Sequence, residues 1–267
     1  FPTRRSSDLK LKLPKSTLEK LSGVKLQQIS LIWDGWLKLA IVVDDGKELA
    51  LAVKTDISCG IDLGEIHSIA AFKREGNAII ITGRLLRSVK QHQLKKLAEL
   101  ESKLSKCRKD SRRCKKLSRA KWRILQKTNA QIRDINHKIT RSFVKWAVEN
   151  NVSKVYVGNP EGVQRKKRRK VVSQKLSRWN FGKHLEYLNY KLAAVGITLE
   201  KINEEYSTQT CPQCGRRNKC NSRNYRCSCG YKAHRDIHGA RNILSLGLKG
   251  RICLTTPIKE QKYLRPA

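Results

Sequence analysis

The stretch "SCGIDLGEIHSIAAFKREGNAIIITGR", residues 58–84, packs three short apolar runs between turns at Gly64 and at Glu75-Gly76-Asn77. Runs of this length, rich in Ile, Ala and Phe and closed by glycine turns, predict three successive β-strands. The pattern then changes. From Ser88 to Asn150, Leu94, Leu97, Leu100 and Leu104 recur at helical spacing among many Lys and Arg, which predicts helix. "SKVYVGNP" (153–160) returns to strand, "LSRWNFGKHLEYLNYKLAAVG" (176–196) to helix and "ITLEKINEEY" (197–206) to strand. "DIHGARNILSLG" (236–247) predicts a last helix. From Ile57 the order is β-β-β-α-β-α-β-α, an α/β arrangement in which helices flank a mixed sheet. Upstream, "VKLQQISLIW", "WLKLAIVV" and "ELALAV" are separated by turns at Asp34-Gly35 and Asp44-Asp45-Gly46, and predict antiparallel strands.

That order is the chain order of the RNase H-like fold, whose active site is a set of carboxylates holding two divalent metals. Fold alone does not give function, so the acids must be found. Asp62 stands inside an otherwise apolar first strand, where a lone acid is costly unless paired or bound to metal. Its plainer reading is a cap on the Gly64 turn. Asp236 opens the last helix, whose apolar face is Ile237, Ala240, Ile243 and Leu244. Alone it reads equally well as an N-cap; together, in these elements, the two acids point to catalysis.

Composition narrows the partner. Lys and Arg total 58 against 22 Asp and Glu, a net charge of +36. A chain that basic repels itself unless it meets a polyanion, and nucleic acid is the obvious one. "RKKRRK", Arg165, Lys166, Lys167, Arg168, Arg169 and Lys170, is a run of six cations that cannot pack, so it either contacts phosphate, the nucleic-acid-binding role expected of it, or stays solvated. No apolar run approaches the roughly 20 residues of a membrane span. "CPQCG" (211–215) and "CSCG" (227–230) are two short knuckles twelve residues apart, so Cys211, Cys214, Cys227 and Cys229 are candidate ligands of a tetrahedral Zn²⁺. The second knuckle has one residue between its cysteines, and Cys220 or His234 is the alternative ligand. The odd total of nine cysteines and the lack of a secretory signal argue against disulfides.

"GIDLG", a basic helical region, and then "TQTCPQCG…RCSCGYKAHRDIHGARNIL" resemble the TnpB family of transposon-encoded RNA-guided DNA nucleases, themselves similar to type V CRISPR effectors. The resemblance implies a RuvC-type RNase H-like nuclease core at 57–206 with a basic helical region at 88–150. It implies an inserted zinc ribbon at 207–233, the final nuclease helix at 234–249, a tail at 250–267, and at 10–56 the remnant of a wedge β-barrel. Residues 1–9, "FPTRRSSDL", correspond to the in-frame translation of a sequencing-adapter oligonucleotide and are set aside. An N-terminally truncated chain is therefore expected. The resemblance further implies Asp62 and Asp236 as the first and last catalytic aspartates, a structural Zn²⁺, two catalytic Mg²⁺, a guide RNA transcribed from the transposon, target DNA, and a bacterial or archaeal cytoplasmic, nucleoid-associated location. One position departs from it: most of the family carries a catalytic Glu where this chain has Gly158. The acids on hand are Glu161, beyond Pro160 in a turn, and Glu204 and Glu205 at the end of the next strand; Glu204 is the expected replacement. If no acid replaces it, the alternative is a nuclease-inactive, RNA-guided DNA-binding protein of repressor type. A zinc-ribbon RNA binder without a guide explains the charge and cysteines, but not "GIDLG" paired with "RDIHGARNI".

Overall fold

The computed structural model describes residues 12–33, 37–46, 50–159, 181–220 and 222–266. It divides into two compact units, Phe1–Leu49 and Ala50–Ala267. In the first, helix α1 (Lys15–Leu21) starts where the amides of Thr17 and Leu18 donate to the Pro14 carbonyl. Strands β1 (Lys25–Trp33) and β2 (Leu37–Asp44) then pair antiparallel, from Lys25 opposite Asp44 to Trp33 opposite Leu37, with a bulge between Leu26 and Gln28. The adapter-like residues 1–9 lie outside the described residues. The expected third run differs: residues 50–57 form no strand, and the Val53 amide donates instead to the Gly196 carbonyl while its side chain packs on the second unit's core.

The second unit is built on a six-stranded sheet. In chain order its strands are β3 (Ser58–Asp62), β4 (His67–Lys73), β5 (Asn77–Thr82), β6 (Lys154–Gly158), β7 (Thr198–Ile202) and β10 (Glu260–Leu264), and in space they lie β10-β5-β4-β3-β6-β7. β4 is antiparallel to β3 and β5; β3, β6 and β7 are mutually parallel, and β10 is parallel to β5. Both faces are covered, which is why β4 and β5 read as near-continuous apolar runs. On one face Cys59, Ile61, Ile69 and Ile81 pack against Ile135, Ile139, Phe143 and Trp146 of α3 (Arg112–Glu149) and Leu185, Leu188 and Leu192 of α4 (Phe181–Ala193). On the other, Ala70, Phe72, Ile80 and Tyr156 meet Ile237, Ala240, Ile243 and Leu244 of α5 (Arg235–Lys249).

The basic helical region is two helices. α2 (Arg84–Ser105) starts four residues before Ser88, and the turn after it contains Asp110 in the left-handed region; Ser111 then caps α3 by accepting from the Cys114 amide. Trp146 is core, 3% exposed, and Trp122 is half-buried. The 250–267 segment, expected as a tail, holds β10, which covers the β5 edge from Glu260 opposite Asn77 to Leu264 opposite Ile81.

Candidate carboxylate and metal site

Parallel pairing sets the site. β3 and β6 run side by side with Ile61 opposite Val157, so the next residues, Asp62 and Gly158, end neighbouring strands at the same level. β7 lies beyond β6 with Ile202 opposite Gly158, and the Asn159 amide donates to the Ile202 carbonyl. Glu204 lies two residues past the end of β7, not on the strand, and folds back over Gly158. A Cβ placed on Gly158 would lie 2.9 Å from both Cβ and Cδ of Glu204 and closer still to its carboxylate oxygen. Glu204 thus occupies the volume that a side chain at 158 would take, while Glu205 is exposed. Glu161 lies outside the described residues.

Helix α5 brings the third acid. His234 caps it, Nδ1 accepting from the Asp236 amide at 3.3 Å, and the Asp236 carboxylate sits in the first turn, where the helix dipole favours an anion. Asp62 lies against Gly239 one turn on, where a Cβ would meet its carboxylate. From β4, His67, 4% exposed, bonds through Nδ1 to Asp236 Oδ2 at 2.5 Å. Asn242 of α5, fully buried, donates to the carbonyls of Ser207 and Thr210 and so holds the turn that carries Glu204. Asp62, Gly64, Glu65, His67, Thr208, Arg223, Arg235 and Asp236 line one open cleft.

The electrostatics of the cleft favour a cation. Burial, and then the negative charge of Glu204 and Asp236, push the Asp62 carboxyl up to about 8 against the pull of Arg235. Burial also raises Glu204. Burial works against Asp236 too, but the hydrogen bond and charge of His67, with His234 and Arg235, hold it below the ordinary range. Three converging carboxyls of which one must keep its proton form a set that a divalent cation would relieve. Oxygen donors suit a hard ion such as Mg²⁺.

The second cluster is the ribbon. Cys211 Sγ lies 3.6 Å from Cys229 Sγ, and Cys214 Sγ 3.5 Å from Cys227 Sγ, with all four sulfurs within 4.8 Å of one another. Four thiolates at about 2.3 Å from a tetrahedral Zn²⁺ stand about 3.8 Å apart, so the set fits a structural zinc. The one-residue spacing of the second knuckle is accommodated: the Gly230 amide donates to the Cys227 carbonyl and the Cys227 amide to that of Tyr231. Cys220 turns away to Ser222 and the Asn224 carbonyl, and His234 caps α5. A backbone hydrogen bond at Cys229 brings the Cys227 thiol down to about 6, whereas burial pushes Cys211 up to about 12. Strands β8 (Asn224–Arg226) and β9 (Lys232–His234) close the ribbon, and Tyr225 stacks on His238 of α5 at 4.0 Å between ring centroids. "RKKRRK" at 165–170 lies outside the described residues.

Two family profiles match the chain. The first, a probable transposase of the OrfB_IS605 type, covers residues 41–164; the second, the TNB domain of Cas12f1-like proteins, covers residues 181–243. A TnpB-like protein of Acanthamoeba polyphaga mimivirus is 27% identical over 205 residues, which is 72% of this chain and 38% of that one. Over most of its length the chain is similar to TnpB-like proteins. The CRISPR-associated endodeoxyribonuclease Cas12f1 of Sulfoacidibacillus thermotolerans is 29% identical over 119 residues, 43% of this chain and 27% of that one. Among solved structures, a CRISPR-Cas12f ternary complex superposes with a TM-score of 0.59 at 18% identity, over 77% of this chain and 41% of that one. The chain spans about two fifths of the length of the viral relative. The transposase profile takes in Asp62 and Gly158; the TNB profile takes in Glu204, the four cysteines, Asp236 and Asn242. Sequence reasoning gave no role to His67 or Asn242, and considered His234 for zinc alone. The signal for His67 was present: a lone imidazole in the buried run "EIHSIAAFK" needs a partner.

Proposed function

We propose that this chain is the nuclease part of an RNA-guided, divalent-metal-dependent DNA endonuclease of a transposon, on a RuvC-type RNase H-like core. The strand order β5-β4-β3-β6-β7, with β4 alone antiparallel within it, supports that fold. In this reading residues 10–56 are a barrel remnant, 57–206 the core, 207–233 a zinc ribbon, 234–249 the last core helix and 250–267 the tail. The observation that carries the function is Glu204 lying over Gly158: the acid missing from one strand end is supplied from its neighbour.

Asp62, Glu204 and Asp236 would hold two Mg²⁺, which when bound supply an activated water and charge stabilisation at the leaving oxygen of a phosphodiester. Asp62, flanked by both other acids, is the central ligand and gives up its proton on binding. Asn242 keeps Glu204 in reach, and His67 and Arg235 keep Asp236 ionised. Arg223 and Arg235, on the cleft wall, offer cations to a phosphate backbone. Base pairing with the guide would give sequence specificity while the protein reads duplex shape and charge, and the run 165–170 would add phosphate contacts.

The test is cleavage of a guide-matched DNA duplex by the protein expressed from its own locus with its flanking RNA, alongside Glu204→Gln. Mg²⁺-dependent cutting that Glu204→Gln abolishes supports the reading. Guide-dependent binding with no cutting in any divalent metal would make the protein an RNA-guided binder instead.

A further inference from the structure

Two clusters among the described residues bring three or more His, Cys, Asp or Glu donors together: the ribbon cysteines, and His67, His234 and Asp236. The second contains two imidazoles, which oxygen-ligated Mg²⁺ does not call for. We propose that His67 and His234 join Asp236 as ligands of one ion of the carboxylate site, so that this position takes a first-row transition ion of the Mn²⁺ class in preference to Mg²⁺. The proposal rests on the nuclease reading and specifies the metal of that same site.

The geometry supports it from several directions. One donor atom from each of the three residues lies within 4.8 Å of the other two. His67 Nδ1 and Asp236 Oδ2 already point at one another at 2.5 Å. A proton shared between an imidazole nitrogen and a carboxylate oxygen marks two lone pairs converging on one point. A metal ion with bonds of about 2.1 Å takes the proton's place by spreading the pair to about 3–3.5 Å. His67 is fixed for that role: it is 4% exposed, its backbone belongs to β4, and its ring makes a T-shaped contact with Tyr263 of β10 at 5.7 Å between centroids. The His234 ring stands 5.4 Å from that of His67. Its present Nδ1 bond to the Asp236 amide is a long 3.3 Å and easily exchanged.

Ligand chemistry sets the selectivity. Imidazole nitrogen binds Mn²⁺, Fe²⁺, Co²⁺ and Zn²⁺ with increasing strength but competes poorly with water for Mg²⁺, which prefers oxygen. Asp62 feels the charges of Glu204, Asp236 and Arg235, so its end of the cleft is an oxygen-rich position for the other ion. The site is therefore asymmetric, nitrogen-bearing at the Asp236 end and oxygen-ligated at the Asp62–Glu204 end. Glu65, Arg223 and Arg235, which line the same cleft, complete the charged groups that face it.

The experiment is a Mn²⁺ titration of the untagged, zinc-loaded chain followed by EPR, with electron-spin-echo modulation on the bound ion. The expected result is a bound Mn²⁺ showing ¹⁴N modulation from imidazole, displaced by Co²⁺ at lower concentration than by Mg²⁺, with Mg²⁺ needed in at least about a hundredfold excess. His67→Gln and His234→Gln should each weaken Mn²⁺ about tenfold and remove part of the ¹⁴N signal. Asp62→Asn should keep the ¹⁴N signal. Bound Mn²⁺ without ¹⁴N modulation, or no bound Mn²⁺ in the wild-type chain, overturns the proposal, and both outcomes are read on the wild-type chain whether or not the variants fold. The two readings separate: Mg²⁺-driven cleavage with no nitrogen coupling sinks the nitrogen ligation alone. Nitrogen-bound Mn²⁺ without cleavage in any metal sinks the nuclease reading alone.

Discussion

A side chain at position 158 and the carboxylate of Glu204 compete for one volume, and that competition has measurable consequences. Gly158→Ala puts a Cβ 2.9 Å from Cβ and Cδ of Glu204, so Glu204 must swing away. We expect a loss of about 1–3 kcal/mol of stability, the usual cost of overpacking, seen as a lower Tm, together with loss of metal-dependent cleavage. Gly158→Glu combined with Glu204→Gly, which also removes the Cβ that would stand 2.9 Å away, clears the volume and restores an acid there; it should be more stable than Gly158→Ala and recover cleavage. If the double variant is the less stable of the two, Glu204 does not stand in for position 158. Asp62 gives a pH prediction. The metal-free fold holds its carboxyl at about 8, above the ordinary 3.8, so between these values the folded state binds more protons than the unfolded one. Stability of the metal-free chain should fall as pH rises from about 4 to about 8 and level off above. Asp62→Asn should flatten that slope in thermal melts, and divalent metal should reverse it. At this scale the two acids could be singled out because Asp62 interrupts an apolar strand and Asp236 opens a helix with an apolar face. His67 and Asn242 were not, because their partners lie 169 and 35 residues away in the chain, and no local pattern encodes a contact at that distance.

The zinc ribbon and the last strand show what an element contributes beyond its own residues. Tyr225 of the ribbon stacks on His238, whose Nδ1 also meets the Tyr231 hydroxyl, and Asn242 ties the turn before Cys211 to α5. If the four cysteines hold zinc, removing it should therefore reach the carboxylates. With a chelator, or in Cys227→Ser, we expect loss of about one zinc per chain, a change in the near-ultraviolet signal of Tyr225 and Tyr231, and weaker divalent-metal binding at Asp62. Unchanged binding there would mean that the ribbon is an independent attachment. β10 makes a similar case. Its five residues are all exposed and show no apolar alternation, so nothing in "EQKYL" announced a strand; it forms because the bare edge of β5 offers unpaired amides. The chain order of the other sheet strands was legible from alternating run lengths: β3, β4, β5 and β6 are buried and carry short apolar runs, and the helices carry longer periodic ones. The expected "ELALAV" strand failed because Val53 finds its apolar burial in the second unit's core, which a local pattern of alternation cannot foresee.

Charge is a property of the whole molecule, and it separates binding from cutting. A net charge of +36 exceeds what local ion pairs absorb: the exposed pairs on α3, Lys138 with Asp134 and Lys145 with Glu149, involve only a few of the 58 cations. Exposed pairs of this kind contribute little to stability, so the excess is better explained by a polyanionic partner than by folding. Counterion release then predicts steeply salt-dependent association with RNA and DNA whatever the state of the carboxylates, and Asp62→Asn should leave that dependence unchanged. The six cations at 165–170 supply the sharper version of the test, because their contribution was inferred from sequence and does not depend on any contact in the fold. Each phosphate neutralised contributes about 0.7 to the slope of log affinity against log salt for a single strand and about 0.9 for a duplex. Changing all six to Gln should therefore lower the slope by about 4 on single-stranded RNA and about 5 on duplex DNA if every one of them meets phosphate. A smaller drop counts how many do. An unchanged slope would mean that the run stays solvated when nucleic acid binds, and would leave the electrostatic hold to the helical cations of 84–149.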